Sequence, residues 1–379
     1  MATARPESSL LMSEGGRAPS ANGPLEPVDL WSEFPELDAR VRAALWSYAP
    51  NTQLGLRADW RRWKAWCAAQ KPEQPGLPAA VQDVIAFALA CSPSTEVDER
   101  GVSRLSERAR TAHVRTPSTL RRYLHTIGAM HRLARITDPT KDPDVATALR
   151  RVTRGRSAKR QKTGLNRPHL EQILASLGTA LWDLRARALL LTAYCTLARS
   201  AELVALTVDD LKVSSAGDGY AVLRKTKTDQ EGHGSHRYLA KPAIEALRAW
   251  LAAAGISDGA VFRRLHKHGG VTGVAIRPHE VSRIVQKVIR RLPPKERPVG
   301  SFAGHSTRIG GAQDLVAGGQ DLLAVMQAGG WRDPKMPARY TEHLAAMRGG
   351  MARLWGRLDA PPDSGANRLI NMSELIGGG

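Results

Sequence analysis

Residues 182–254 read WDLRARALLLTAYCTLARSAELVALTVDDLKVSSAGDGYAVLRKTKTDQEGHGSHRYLAKPAIEALRAWLAAA, and the changes of period within them decide the fold class. Trp182–Leu197 has the apolar density of a packed helix, and Ala201–Leu206 leads from it into short β-like segments. Tyr220–Lys227 and Arg237–Leu239 flank the loop Thr228–His236, whose turn residues predict a hairpin or a three-stranded sheet. Helical period returns at Lys241–Ala254. The expected class is mainly α with a small antiparallel β-sheet.

Working outward, helices are expected at Pro168–Leu177, His279–Leu292, Ser306–Ala317, Asp321–Gly329 and Pro337–Arg348. In His279–Leu292, Val281, Ile284, Val285, Val288 and Ile289 share one face, with Arg283, Lys287, Arg290 and Arg291 on the other. Residues 167–358 therefore read as one α+β domain. Upstream, residues 28–151 read as a helical domain. Asn51 or Thr52 is the expected cap of a helix with the stripe Leu56, Trp60, Trp63 and Cys67. Pro78 opens a second helix with Val81, Val84, Ile85 and Leu89, and Pro117 and Ser118 open a third with Leu120, Leu124, Ile127 and Met130. A last helix runs from about Asp144 to Arg151. Ser92–His113 lacks a period and is expected to be a loop or a short exposed helix. Residues 1–27, rich in Ser, Gly, Pro and Ala, read as a disordered tail. Residues 152–166 read as a basic linker, overlapping an acid-free run from Arg150 to Lys162. Residues 359–379 form a separate C-terminal segment.

The 379 residues carry 55 Lys plus Arg against 36 Asp plus Glu, a formal charge of +19. Three basic and seven acidic residues between Met1 and Arg40 leave +23 on the rest, so the folded body suits a polyanion, nucleic acid above all. Only 19 aromatics, with no stacking sheet among them, argue against an RNA platform. Cys67, Cys91 and Cys195 make neither a disulfide framework nor a zinc set, which points to a reducing, cytoplasmic setting. The longest mainly apolar run, Ala186–Ala198, is shorter than the ~20 residues a membrane crossing needs, and no membrane partner is expected.

Five strings carry candidate chemistry: Leu197-Ala-Arg-Ser-Ala-Glu-Leu203, Arg224-Lys-Thr-Lys-Thr228, Gly304-His-Ser-Thr-Arg308, Ala328-Gly-Gly-Trp331 and Ala338-Arg-Tyr-Thr-Glu-His343. Alone, Arg199 is an ordinary salt-bridged arginine and Tyr340 an ordinary packed tyrosine. In this order and spacing they resemble the tyrosine recombinase (phage integrase) family: an Arg with a Glu three residues on, a hairpin Lys, His-x-x-Arg, a His or Trp, and a nucleophilic Tyr. Matched residue by residue, the resemblance implies Arg199, Glu202, Lys227, His305, Arg308, Trp331 and Tyr340 as catalytic residues. Trp331 in place of the commoner His, the run Gly304–Ala312, the run Met326–Trp331, and Trp63–Cys67 with Met130–Arg132 are similar to Cre-type site-specific recombinases. The fold implied is a two-domain DNA clamp, a core-binding helical domain followed by the catalytic domain.

The chemistry suits these residues. Phosphodiester transfer to a tyrosine builds negative charge on the non-bridging oxygens, which the guanidinium forks of Arg199 and Arg308 can hold bidentately. Tyr340 must lose a proton, eased by the arginines' field, with His305 as acceptor. The leaving 5′ oxygen must gain a proton, from Lys227 or from Lys225 two residues earlier. Glu202 orients His305 or an arginine, and Trp331 offers its indole N–H to a phosphate oxygen and packs the Tyr340 segment. The scheme calls for no cofactor and no metal. Expected partners are a double-stranded recombination site with inverted repeats and, on it, a homotetramer formed from free monomers. Asn367–Ile376 is the expected helix that docks into a neighbouring subunit. Thr52, Arg57, Ser118, Arg121 and Arg122 in the first domain, with Arg283 and Lys287 in the second, are the expected DNA contacts. The competing functions are a type IB topoisomerase, which uses the same chemistry, and a catalytically silent DNA-binding protein of this fold.

Overall fold

The computed structural model describes residues 30–70, 76–92, 95–97, 103–105, 115–154, 161–224, 234–267, 269–348 and 350–354. The chain divides into two compact units, residues 1–160 and 161–379.

In the first unit, helices α1 (Ala39–Trp46), α2 (Pro50–Gln70) and α3 (Val81–Ala90) precede an antiparallel hairpin, β1 (Thr95–Val97) and β2 (Ser103–Leu105). Helices α4 (Pro117–Leu133) and α5 (Pro143–Thr153) complete it. The stripe Leu56, Trp60, Trp63 and Cys67 is buried as its period requires, beside Trp31, Phe87, Leu120, Ile127 and Met130. Trp63 stacks on Trp66 and meets Phe87 edge-on, with ring centroids 5.5 Å and 5.2 Å apart. Thr116 caps α4 ahead of Pro117, and Asp142 caps α5.

Three expectations for this unit are corrected. Neither Asn51 nor Thr52 caps α2, because the helix already starts at Pro50 and both lie in its first turn. Leu89 is 44% exposed, because the buried stripe of α3 runs through Val84, Phe87 and Ala88. The β1–β2 hairpin lies inside Ser92–His113, where short strands leave no period long enough to read.

In the second unit, α6 (Arg167–Ala175), α7 (Leu181–Thr196) and α8 (Ser200–Val204) lead into a three-stranded antiparallel sheet, β3 (Leu211–Val213), β4 (Gly219–Leu223) and β5 (Ser235–Leu239), in that order. Then come α9 (Lys241–Ala254), a hairpin of β6 (Arg263–Leu265) and β7 (Val271–Ala275), α10 (Pro278–Arg291), α11 (Ser306–Ala317), α12 (Leu322–Gly329), α13 (Lys335–Arg348) and α14 (Gly350–Leu354). Leu189, Leu190, Ala193, Leu247, Trp250, Phe262 and the apolar face of α10 share one core. The β6–β7 hairpin was not expected; a register shift between Arg263 and Leu265 leaves it no clean alternation to read.

The linker, expected to reach residue 166, is shorter. Leu165 is fully buried and its N–H donates to the Ser306 carbonyl at 2.8 Å, while Thr163 N–H donates to the Ser301 carbonyl at 3.0 Å. Gly310 makes this approach possible, since a Cβ there would sit 2.1 Å from the Leu165 carbonyl oxygen. Among the described residues no helix is long and apolar enough to cross a membrane.

Candidate active site

Helix α7 ends at Leu197, held at φ +49°, a left-handed conformation costly for a branched residue. The turn places Arg199 at the N-terminus of α8, and Glu202 three residues later folds back on it. Glu202 accepts from the Arg199 backbone N–H at 2.8 Å and from its Nη1 at 2.6 Å. Glu202 is therefore the orienting partner of Arg199. Its side chain is 6% exposed against 26% for the arginine, so the carboxylate anchors and the guanidinium reaches outward.

His305 and Arg308 are one turn apart at the start of α11 and share a face. Arg308 is 1% exposed. Its Nη1 donates to the Leu197 carbonyl, and its Nη2 has no hydrogen-bond partner among the described residues. The guanidinium lies on the Trp331 ring, with Cζ 3.9 Å from the centroid. Trp331 meets Tyr340 edge-on at 6.1 Å. Tyr340, on α13, brings its hydroxyl to 2.8 Å from His305 Nε2, and its carbonyl accepts from Gln313 Nε2 at 3.0 Å. Helix α11 thus holds the nucleophile candidate at both ends.

Burial, reinforced by the charges of Arg308 and Arg199 and partly offset by Glu202, pushes the His305 pKa down to about 4. The imidazole is neutral at pH 7, and in the tautomer protonated on Nδ1 its Nε2 can accept the tyrosine proton. Burial lowers Arg308 to about 10, with Arg199 adding to the effect, which leaves it cationic at neutral pH. Tyr340 feels the arginine field expected from the sequence, and burial besides. Arg308, Arg199 and Arg339 do pull its pKa down, but burial outweighs them and the net shift is upward. The phenol therefore stays protonated beside its base at neutral pH.

Six of the seven predicted site residues converge; the seventh, Lys227, lies with its rival Lys225 outside the described residues. Among the described residues no three His, Cys, Asp or Glu side chains group as a metal would need. Two residues were missed. Gln313 gave no sequence signal. Arg237 did: it shares the inward parity of β5 with Leu239, where alternation calls for an apolar side chain.

The predicted DNA contacts fall into two groups. Thr52, Ser118, Arg121 and Arg283 are exposed or at the surface. The others are already engaged: Arg57 pairs with Glu33, Arg122 grips Asp59 through two bonds at 2.7 and 2.8 Å, and Lys287 lies 4.4 Å over the Trp182 ring.

Residues 165–347 match the Phage integrase family. The chain is 24% identical over 358 residues to the recombinase Cre of Escherichia phage P1, covering 88% of this chain and 96% of Cre. It is 27% identical over 309 residues to an integrase/recombinase XerD homolog of Selenomonas ruminantium, covering 78% and 82%. Among solved structures, the Tn1549 transposon integrase in complex with circular intermediate DNA superposes with a TM-score of 0.55 at 16% identity, over 84% of this chain and 98% of that one. The XerH site-specific recombinase bound to palindromic difH substrate gives 0.52 at 16%, over 79% and 78%.

Proposed function

Residues 165–347 belong to the phage integrase family of tyrosine recombinases, and from that premise we propose how this chain carries out site-specific DNA recombination: it cleaves and rejoins strands through a 3′-phosphotyrosine. The Tyr340 oxygen attacks the scissile phosphorus as its proton passes to His305 Nε2. The P–O5′ bond breaks, and Lys227, or Lys225, protonates the departing oxygen. The ester bond is conserved, so a 5′-hydroxyl from a second duplex reverses the step and exchanges strands. Arg199 and Arg308 hold the two non-bridging oxygens, where guanidinium forks stabilise charge that peaks in the transition state. Trp331 fixes the plane of Arg308 and the position of Tyr340. No cofactor enters the scheme.

One observation carries the reading. A tyrosine hydroxyl sits 2.8 Å from a neutral histidine, beside a buried arginine whose Nη2 lacks a partner among the described residues. A phosphate oxygen would satisfy that group, and an unsatisfied buried donor costs about 1–3 kcal/mol until it does.

Assembly belongs to the same proposal. Four copies on two inverted-repeat sites, monomers when free, are expected to be joined by residues 359–379, which lie outside the described residues. Arg121, Arg283 and the other surface residues named above read the duplex. The decisive experiment incubates the full chain with nicked duplex containing the DNA that flanks its gene. A denaturant-resistant protein–DNA adduct is expected with the unaltered chain and none with Tyr340→Phe. An adduct that survives the substitution refutes the assignment.

A further inference from the structure

We propose that Arg237 is a positioning residue: its buried guanidinium pins the C-terminal turn of α12 so that Trp331 lies under Arg308 and against Tyr340. Strand β5 faces inward at Arg237 and Leu239, and the cross-strand neighbour of Arg237 is the small Ala221, which leaves room for a long side chain. Arg237 is 8% exposed, yet among the described residues no carboxylate pairs with it. Its Nη1 donates to the Gln327 carbonyl at 3.0 Å, in the last turn of α12, where the Gly330 N–H donates to the same oxygen at 3.2 Å and the helix dipole favours a cation. Its Nε has no hydrogen-bond partner among the described residues. A guanidinium so enclosed and so poorly neutralised is a costly choice for stability alone, because an apolar side chain would fill the same inward position.

The chain beyond that anchor explains the choice. Gly330 turns the helix end at φ +62°, and a Cβ there would lie 1.7 Å from Arg237 Nη2. The guanidinium thus occupies the space a side chain at 330 would need, and the next residue is Trp331. Any slackening at 327–330 is passed directly to the ring that supports Arg308 at 3.9 Å and meets Tyr340 at 6.1 Å. Arg237 also lies within electrostatic reach of Arg199, Glu202 and Arg308, so its charge joins the field over the scissile phosphate. This kinetic consequence rests on the recombinase chemistry proposed above; the anchoring of α12 does not.

The test uses the full chain with Arg237→Met, Arg237→Lys and Gly330→Ala. Hydrogen exchange across residues 322–348 is expected to rise about tenfold in Arg237→Met, with 181–196 and 241–254 unchanged and Arg237→Lys in between. On a nicked duplex selected from a random-sequence pool by the unaltered chain, adduct formation should fall about 100-fold, a loss that small misplacements suffice to cause. Affinity for that duplex should change by less than about threefold, since the contact acts after binding. Gly330→Ala, which displaces the guanidinium, should reproduce both effects. Unchanged exchange at 322–348, uniform loosening of the whole unit, or equal losses of affinity and rate would overturn the proposal. Failure of the unaltered chain to form a Tyr340-dependent adduct would instead refute the recombinase reading, and the exchange comparison would still decide the role of Arg237.

Discussion

In the first unit Arg57, Arg61 and Lys64 on α2 and Arg122 on α4 each have an acid at hand. Arg57 and Arg61 share Glu33, Lys64 reaches Glu36 at 3.1 Å, and Arg122 holds Asp59. In the second unit Arg199, Arg237 and Arg308 have, among the described residues, the single carboxylate Glu202 between them, and Arg308 and Arg237 are almost wholly buried. Exposed pairs such as Arg61 with Glu33 contribute little to stability, whereas Asp59 is buried beneath Arg122. Buried guanidiniums without counter-charges are tolerated only where something else answers them, and an incoming phosphate would do so. The difference separates cations that keep a surface in order from cations held ready for an anion.

The largest effect should come from the proposed nucleophile. Tyr340→Phe removes one hydroxyl and is expected to cut adduct formation by about 10⁴-fold or more, with duplex affinity retained. Arg308→Lys keeps the charge but loses the fork and the Trp331 stack. A fall of about 10²–10³-fold in the cleavage rate is expected, measured under single turnover beside a filter-binding titration. If binding falls by the same factor, Arg308 grips DNA in general and the contrast between units dissolves.

Acid sharpens the comparison further. His305 has an ordinary value of 6.5 and a folded value of about 4, so it stays neutral well below pH 6 and the cleavage rate should hold until the pH nears 4. Stability moves differently. Between those two values the unfolded chain takes up the proton and the folded chain does not, so this group costs stability as pH falls from 6.5 towards 4, and no more below that. Rate profiles and melting curves over the same range should therefore diverge. A cleavage rate that halves near pH 6.5 would mean that the imidazole is not enclosed as described.

Adjacent arginines on α4 give the next test. Arg122→Ala strands the Asp59 carboxylate, whose side chain is 2% exposed and keeps, among the described residues, only the Thr126 hydroxyl at 3.3 Å, and should cost about 1–3 kcal/mol in the first unit. Arg121→Ala, one residue away and exposed, should leave the melting temperature alone and weaken duplex binding. The smallest effect belongs to Glu33→Gln. Releasing Arg57 and Arg61 should raise low-salt affinity for duplex about threefold and steepen its salt dependence. No change would show that these arginines face away from DNA.

Much of this was legible in sequence, for reasons that differ by region. Long helices with a sustained stripe, such as α2 through Leu56, Trp60 and Trp63, or α10 through Val281, Ile284 and Val288, declare their buried faces by period. His305 and Arg308 declare themselves by spacing on one helix turn. What could not be read was pairing across distance. Asp59 and Arg122 are 63 positions apart, and nothing local says that the arginine's fork is taken. The burial that raises Tyr340 against the pull of its arginines is likewise a sum over several elements. Arg237 was half-legible: its parity with Leu239 marks it as inward, but its contact with the end of α12 lies 90 residues on.

Residues 161–166, stitched to the Ser301 and Ser306 carbonyls and seated on Gly310, bear on how the molecule can be divided. A fragment starting at Arg167 would leave a groove on the very helix that carries Arg308, with the Leu165 slot open and two backbone acceptors bare. A fragment starting at Gln161 keeps that seam closed. The six-residue peptide QKTGLN, supplied in trans, becomes a candidate complement for the shorter fragment, much as a missing tooth completes a zip. Split or fused versions of this protein are therefore best cut ahead of Gln161, so that the entering chain travels with the catalytic unit it helps to close.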